Sequence, residues 1–314
     1  MKDILSAELR GSVCVLTYTN DEALQVSGLL LKNGMPAQLI QDNSGFCLLK
    51  LDEINFFLSR LHSVEDIFLI DDDVWEQAKK ELQTVFQNSS KLESCLGLIR
   101  DFETINPKRR YKSDLELFIR ESKLNDFFGE NGETIFVSTI HKVKGKEFDH
   151  VFLMLNNFNL SSDERIRQLY VAMTRARREL TIHLNSDFLD GLSSEAVEHI
   201  EDKNDYLPPE ELAIHLTHSD IWLDYFINRQ PQIAQLRSGD TLYVRGDECL
   251  DGNGQSVLKF SRNFMSEHYE RLHRQGYELK SAMVNFIVYW QSEKVAKEIK
   301  IILPELFFER KKIS

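Results

Sequence analysis

Residues 135–139 (IFVST) and 151–155 (VFLML) are apolar or β-branched at every position but Ser138, instead of alternating. A strand can be apolar on both faces only where both are covered, as in a parallel sheet with helices above and below it. This pair therefore confines its part of the chain to an α/β layer. The loops around it are unusual for purely structural connections. Thr139, His141, Lys144, Gly145 and Glu147 leave the first run with several donors, one flexible glycine and one carboxylate. The stretch RQLYVAMTRAR, 167–177, then gathers guanidiniums ahead of the next apolar run at 180–184. From His141 to His183 there are eight Lys/Arg against five Asp/Glu, within a chain whose formal charge is −12. Phosphate neutralisation by Lys and Arg supplies most non-specific affinity for nucleic acid, so the whole acidic surface is ill suited to that partner. The locally basic stretch is where phosphates, of a nucleotide or of DNA, are expected to meet the chain.

The remaining pattern organises around this sheet. Residues 12–18 (SVCVLTY) read as a buried strand, 21–32 as a helix and 37–40 as a second strand, a βαβ beginning that resumes only near Thr134. Ser161-Ser162-Asp163-Glu164 reads as a capping box, with a serine hydroxyl three residues before a glutamate. The helix after it carries an apolar stripe at Ile166, Leu169, Tyr170 and Met173. The interruption, 51–129, shows helical periodicity in INFFLSRL, VWEQAKKELQTVF, LESCLGLIRDF and LELFIRESKLNDFF. From about residue 190 the character changes to helical stretches, then GDTLYV, a turn at Asp251-Gly252-Asn253-Gly254, VLKFS, a helix over 263–275 and two long strand-like runs. The expected organisation is a split α/β domain (1–50 plus 130–189), a helical insertion subdomain (51–129) and a C-terminal α+β domain with a small sheet or barrel (190–314).

Thr139-Ile140-His141-Lys142-Val143-Lys144-Gly145-Lys146-Glu147 and the later RQLYVAMTRA resemble motifs V and VI of superfamily 1 DNA helicases of the UvrD/Rep type, patterned TxHxxKGxE and RxxYVAxTRA. VLTYTNDEAL, 15–24, resembles the segment VLxRTNxxA of that family, with Tyr18 where arginine is usual. The resemblance spans roughly 10–50 and 130–185. It implies the second RecA-like lobe of a helicase acting in DNA repair or recombination, with a helical insertion at the equivalent point. By that resemblance, Arg175 is the arginine finger for the transferred γ-phosphoryl group, Glu147 reaches the nucleotide ribose, and Gly145 lets the loop backbone approach. Thr139, His141 and Lys144, with Thr19 and Asn20, are implied to contact single-stranded DNA. At about 100° per residue, Arg175 falls opposite Ile166, Tyr170 and Met173 and is expected to project out of the domain.

The sequence contains no GxxxxGK[ST] phosphate loop. ATP and Mg²⁺ are therefore implied only for a longer parent, together with a P-loop motor domain of the same or another polypeptide. This chain alone is expected to bind no cofactor and to show no ATPase activity, because an arginine supplies only part of the stabilisation that phosphoryl transfer needs. Blander readings stand beside these: a solvated Arg175, a structural His141, and Thr19 or Asn20 capping the next helix. The competing function is a non-catalytic helicase-like adaptor that docks a protein or nucleic acid through its C-terminal domain. The run DIFLIDDD, 66–73, imitates a magnesium site but falls in the helical segment, and His215, His218 and Asp220 lack an evident fourth ligand. Four cysteines without a CxxC pair argue against a zinc site or a disulfide framework. No signal pattern or bilayer-length apolar stretch is present, so a cytoplasmic address without membrane contact is expected.

Overall fold

The computed structural model describes residues 4, 11–39, 47–61, 69–122, 134–143, 145–156, 158–192, 194–201, 207–291, 294 and 297–311. In chain order its elements are β1 (Val13–Thr17), α1 (Asn20–Lys32), β2 (Ala37–Leu39), α2 (Asp52–Arg60), α3 (Asp72–Val85), α4 (Leu92–Ile105), α5 (Lys112–Glu121), β3 (Ile135–Thr139), β4 (Phe148–Leu155), α6 (Asp163–Met173), β5 (Ala176–Leu184), β6 (Glu211–His215), β7 (Thr241–Arg245), β8 (Glu248–Leu250), β9 (Ser256–Lys259), β10 (Tyr277–Gln291) and β11 (Glu298–Arg310), joined in places by short helical turns. They divide between two compact units, Met1–Asp42 with Asn131–Ala213 and Asn43–Glu130 with Ile214–Ser314.

In the first unit, five strands form a sheet in the order β2-β3-β1-β4-β5, every neighbouring pair parallel. Successive residues point to opposite faces of a strand, and β1 shows the consequence. Val13 and Val15 enter one core with Ala23, Val26 and Leu30 of α1, whereas Cys14 and Leu16 enter another with Leu169 and Ala172 of α6. The continuous apolar runs arise from this two-sided burial. α1 begins at a full capping box: the Thr19 side chain accepts from Glu22 N, and Glu22 Oε2 accepts from Thr19 N at 3.0 Å. α6 is capped one residue later than its sequence suggests. Ser162 accepts from Arg165 N at 3.3 Å, and Ser161 turns to Asn159.

The apolar stripe read for α6 only partly faces the sheet. Leu169 and Ala172 are buried and Met173 packs against them, but Ile166 is 48% and Tyr170 68% exposed. One helix face can meet the sheet, and the i, i+3 pair Leu169/Ala172 occupies it. Ile166 and Tyr170, four apart, are left on the adjoining flank. β4 and β5 also start earlier than their apolar content indicates, at Phe148 and Ala176, so Arg177 and Arg178 belong to a strand and not to a helix end.

The second unit brings the helices of the 51–129 segment together with the C-terminal strands. Trp75 of α3 is fully buried between Phe57 and Phe102, ring centroids 5.2 and 5.9 Å away. Its indole N–H donates to Glu103 at 2.5 Å. Asp72 and Asp73 occupy the first turn of α3, where carboxylates favour the positive end of the helix dipole; residues 66–68 of the same acidic run lie outside the described residues. The strands form a six-stranded sheet ordered β6-β11-β10-β7-β8-β9. Helices and sheet are stitched by polar contacts: Ser90 N donates to Ser238 O at 2.7 Å, and Lys300 pairs with Asp52 at 2.7 Å. Glu53 Oε1 accepts from Ser89 Oγ at 2.6 Å and from Ser238 Oγ at 3.2 Å. The four cysteines are free thiols. No helix among the described residues is long and apolar enough to cross a membrane.

Candidate nucleotide and nucleic-acid interface

The candidate residues fall at opposite ends of the parallel sheet. Phe148 pairs with Ala176 where β4 and β5 begin, and Thr139 pairs with Thr17 where β3 and β1 end. β4 has eight residues, so the ends are separated by roughly 23 Å at the rise of a parallel strand.

At the starting end, the two basic loops are bound to each other through Arg175. Its Nε donates to Val171 O at 2.9 Å, Nη1 to Lys146 O at 3.0 Å and Nη2 to Thr174 Oγ1 at 3.3 Å. Its carbonyl accepts from Phe148 N at 2.8 Å. The outward projection expected from helical phase does not hold, for a local reason. α6 ends at Met173 and Thr174 is its C-cap, so Arg175 no longer follows the 100° progression. The last carbonyls of a helix lack intrahelical partners and carry the negative end of its dipole; the guanidinium folds back onto one of them. Glu147 is likewise engaged: Arg177 Nε lies 3.2 Å from its Oε2, with both side chains more than half exposed. Arg178 stands 3.4 Å from Asp149, whose carboxyl also accepts from Ser12 N at 2.9 Å and Ser12 Oγ at 3.1 Å. Those hydrogen bonds, the backbone one foremost, hold the Asp149 carboxyl below the usual carboxylate range. Three consecutive rungs therefore tie loop 145–149 to 175–178. The pairing of Glu147 and Asp149 with the adjacent Arg177 and Arg178 follows the irregular register where β4 and β5 begin, between Phe148 and His150.

Gly145 adopts φ +83° with open space where a Cβ would stand. Left-handed backbone, not close approach of another group, is what requires glycine at this point. Lys144 lies outside the described residues.

At the finishing end, Thr139 is buried and Thr19 is the α1 cap, while His141 is exposed and makes no hydrogen bond among the described residues. Thr17 Oγ1 donates to Thr19 O at 2.8 Å and fixes the turn out of β1. Lys142 Nζ donates to Asn20 Oδ1 at 3.0 Å, so the structure brings the first motif segment and the loop after β3 together. Lys142 was missed by pattern matching, because it sits between motif positions. Arg165 was missed too. Its guanidinium lies 5.2 Å from the ring centre of Tyr18 and 5.7 Å from that of Phe158, and it donates to Asn159 at 2.8 Å. Tyr18 and Phe158 meet edge to face at 5.4 Å. A cation thus stands against Tyr18, where the sequence suggested an arginine had been lost. The helix termini here add little positive field of their own, since Asp21, Glu22, Asp163 and Glu164 fill both first turns; Lys142 and Arg165 are the cations placed beside Asn20 and Tyr18.

Residues 51–187 match the family model of the UvrD-like helicase C-terminal domain, a span running from the helical segment through β5 and covering rather less than half of the chain. The RecBCD enzyme subunit RecB of Chlamydia pneumoniae is 33% identical over 101 residues, 30% of this chain and 10% of that protein. The chain therefore spans only about a tenth of the length of the relative it matches. Over residues 51–187 the chain is similar to the UvrD-like helicase C-terminal domain family.

Proposed function

We propose that the α/β unit is the second, RecA-like motor lobe of an ATP-dependent DNA helicase acting in repair or recombination, and that hydrolysis requires a P-loop lobe supplied by the same or another polypeptide. The observation that carries this reading is the bond from Arg175 to the Lys146 carbonyl, which couples the two motif loops inside one rigid corner. In the resting arrangement the guanidinium neutralises helix and loop carbonyls. When a P-loop lobe closes with ATP and Mg²⁺, a γ-phosphate offers the same fork stronger, charge-assisted partners, and the exchange delivers Arg175 as the finger while Glu147 meets the ribose. The flank of Ile166 and Tyr170, exposed on α6 next to Arg167, is the surface such a lobe would cover. At the other end of the sheet, His141, Lys142, Asn20 and Thr19 form the single-strand contact, with Arg165 on Tyr18 as an added cation, while the buried Thr139 supports the loop from beneath. The loop running from His141 to Glu147 spans both ends, so movement at the nucleotide reaches the DNA side through one continuous segment.

The test is DNA-stimulated ATP hydrolysis by the polypeptide or complex that contains the P-loop lobe, wild type against Arg175→Ala, with single-strand binding measured in parallel. Hydrolysis should collapse while DNA binding persists. Unchanged hydrolysis would remove Arg175 from the reaction and favour the adaptor reading, to which its present intradomain hydrogen bonds lend some support.

A further inference from the structure

The second unit holds a cleft of about 1170 Å³ bounded by residues 221–224, the end of β9, the helical stretch from Phe264 and the far end of β10. Two of the three tryptophans of the chain line it, Trp222 and Trp290, whereas Trp75 is fully buried elsewhere. Trp222 is 50% exposed, a costly position for an indole that packs for stability alone. It is nevertheless held firmly. Its backbone N–H donates to Lys259 O at 2.8 Å, and its ring lies against Tyr225 at 5.8 Å between centroids. The charges around it are unevenly committed. Lys259 pairs with Asp247 at 3.1 Å and Lys294 with Asp224 at 2.6 Å. Arg262 and Glu270, both lining the cleft and both exposed, make no side-chain hydrogen bond or ion pair among the described residues.

We propose that this cleft binds single-stranded DNA: an unpaired base lies on an indole, Arg262 meets its phosphate, and Glu270 accepts from an amino or imino N–H of the base edge. Each free element of the cleft has a counterpart in a nucleotide, and aromatic platforms beside a cation are the means by which unpaired strands are held without strict sequence preference. A peptide groove would instead present unpaired strand-edge groups. Here that edge is occupied, Ile221 bridging Phe260 and Trp222 bonding Lys259. The cleft belongs to the second unit and its evidence is independent of the motor reading, so either can fail without the other.

The experiment is titration of the full chain with a mixed-sequence 12-nucleotide DNA strand, read by tryptophan fluorescence and by anisotropy of the end-labelled strand. Wild type should show quenching. Trp222→Ala should weaken binding by about 5- to 150-fold, the loss of one base stack, and Trp222→Phe, which keeps a ring, should recover much of it. Arg262→Ala should lower the salt dependence of binding by one phosphate contact, about 0.7 in the slope of log K against log salt. A His141→Ala/Lys142→Ala variant that still quenches would place the event in the cleft and not on the α/β face. Absence of quenching, equal affinity of the Trp222 and Arg262 variants with wild type, or quenching by a proline-rich peptide and not by the strand would each overturn the proposal.

Discussion

Arg175→Ala should destabilise the α/β unit even with no nucleotide present. The substitution removes three guanidinium hydrogen bonds, to Val171 O, Lys146 O and Thr174 Oγ1. Hydrogen bonds to charged groups are worth about 1.5–3 kcal/mol each when the partners are otherwise unsatisfied. Two circumstances reduce that figure here. Arg175 is only half-buried, so water can replace part of what is lost, and Val171 O keeps a second donor in Thr174 Oγ1 at 2.9 Å. A net loss of about 1–3 kcal/mol remains, well above the roughly 0.5 kcal/mol typical of an idle surface residue. Arg175→Lys should recover less than half, because the donors of an ammonium converge on one nitrogen and cannot match the planar spread by which Nε and Nη1 reach carbonyls on two loops. Urea unfolding of the chain measures the total, and amide exchange over 145–148 locates it, since loosening should concentrate where the Lys146 carbonyl loses its donor. A change below about 0.5 kcal/mol with unaltered exchange in that loop would refute the latch and, with it, the proposed handover of Arg175 from carbonyls to phosphate.

Glu53 should make the second unit lose stability as pH rises. Burial pushes its carboxyl above the usual range, and the hydrogen bonds from Ser89 and Ser238 only partly oppose this. The folded state therefore holds the proton more tightly than the unfolded chain; the associated stability is complete below the ordinary carboxyl value of about 4.3 and is lost as pH climbs through the raised value. Glu53→Gln should flatten unfolding free energy against pH from about 4.3 upward, and parallel profiles for the two proteins would count against it. Gly145→Ala should cost about 1–2 kcal/mol because its φ is +83°, whereas Gly191→Ala, with open space and no positive φ, should be nearly neutral by the same urea assay. Thr19→Ala should cost about 0.5–2 kcal/mol through loss of the α1 capping box, and Thr19→Ser should restore it; equal stability of all three would mean the cap is idle.

The parallel sheet was legible because its signal is local. Runs such as FVS and VFLML can be buried on two faces only between helix layers, and the structure divides them between two cores as that composition demands. Thr19 as a cap was also readable, since a capping box involves residues three apart in the chain. The features that failed to read are those fixed by partners far away in sequence. The direction of Arg175 depends on Lys146, 29 residues earlier. β5 begins at Ala176 because β4 offers Phe148 a parallel neighbour, not because arginines favour strands. Whether Ile166 or Leu169 enters the core was settled by which flank of α6 the sheet could reach. Likewise Trp222 and Trp290 share a cleft, and the helices of 51–129 share a body with the C-terminal strands, only through long-range packing. Periodicity and caps are written in neighbouring residues; register, helix rotation and cleft formation are decided by contacts that the chain makes only once it has folded.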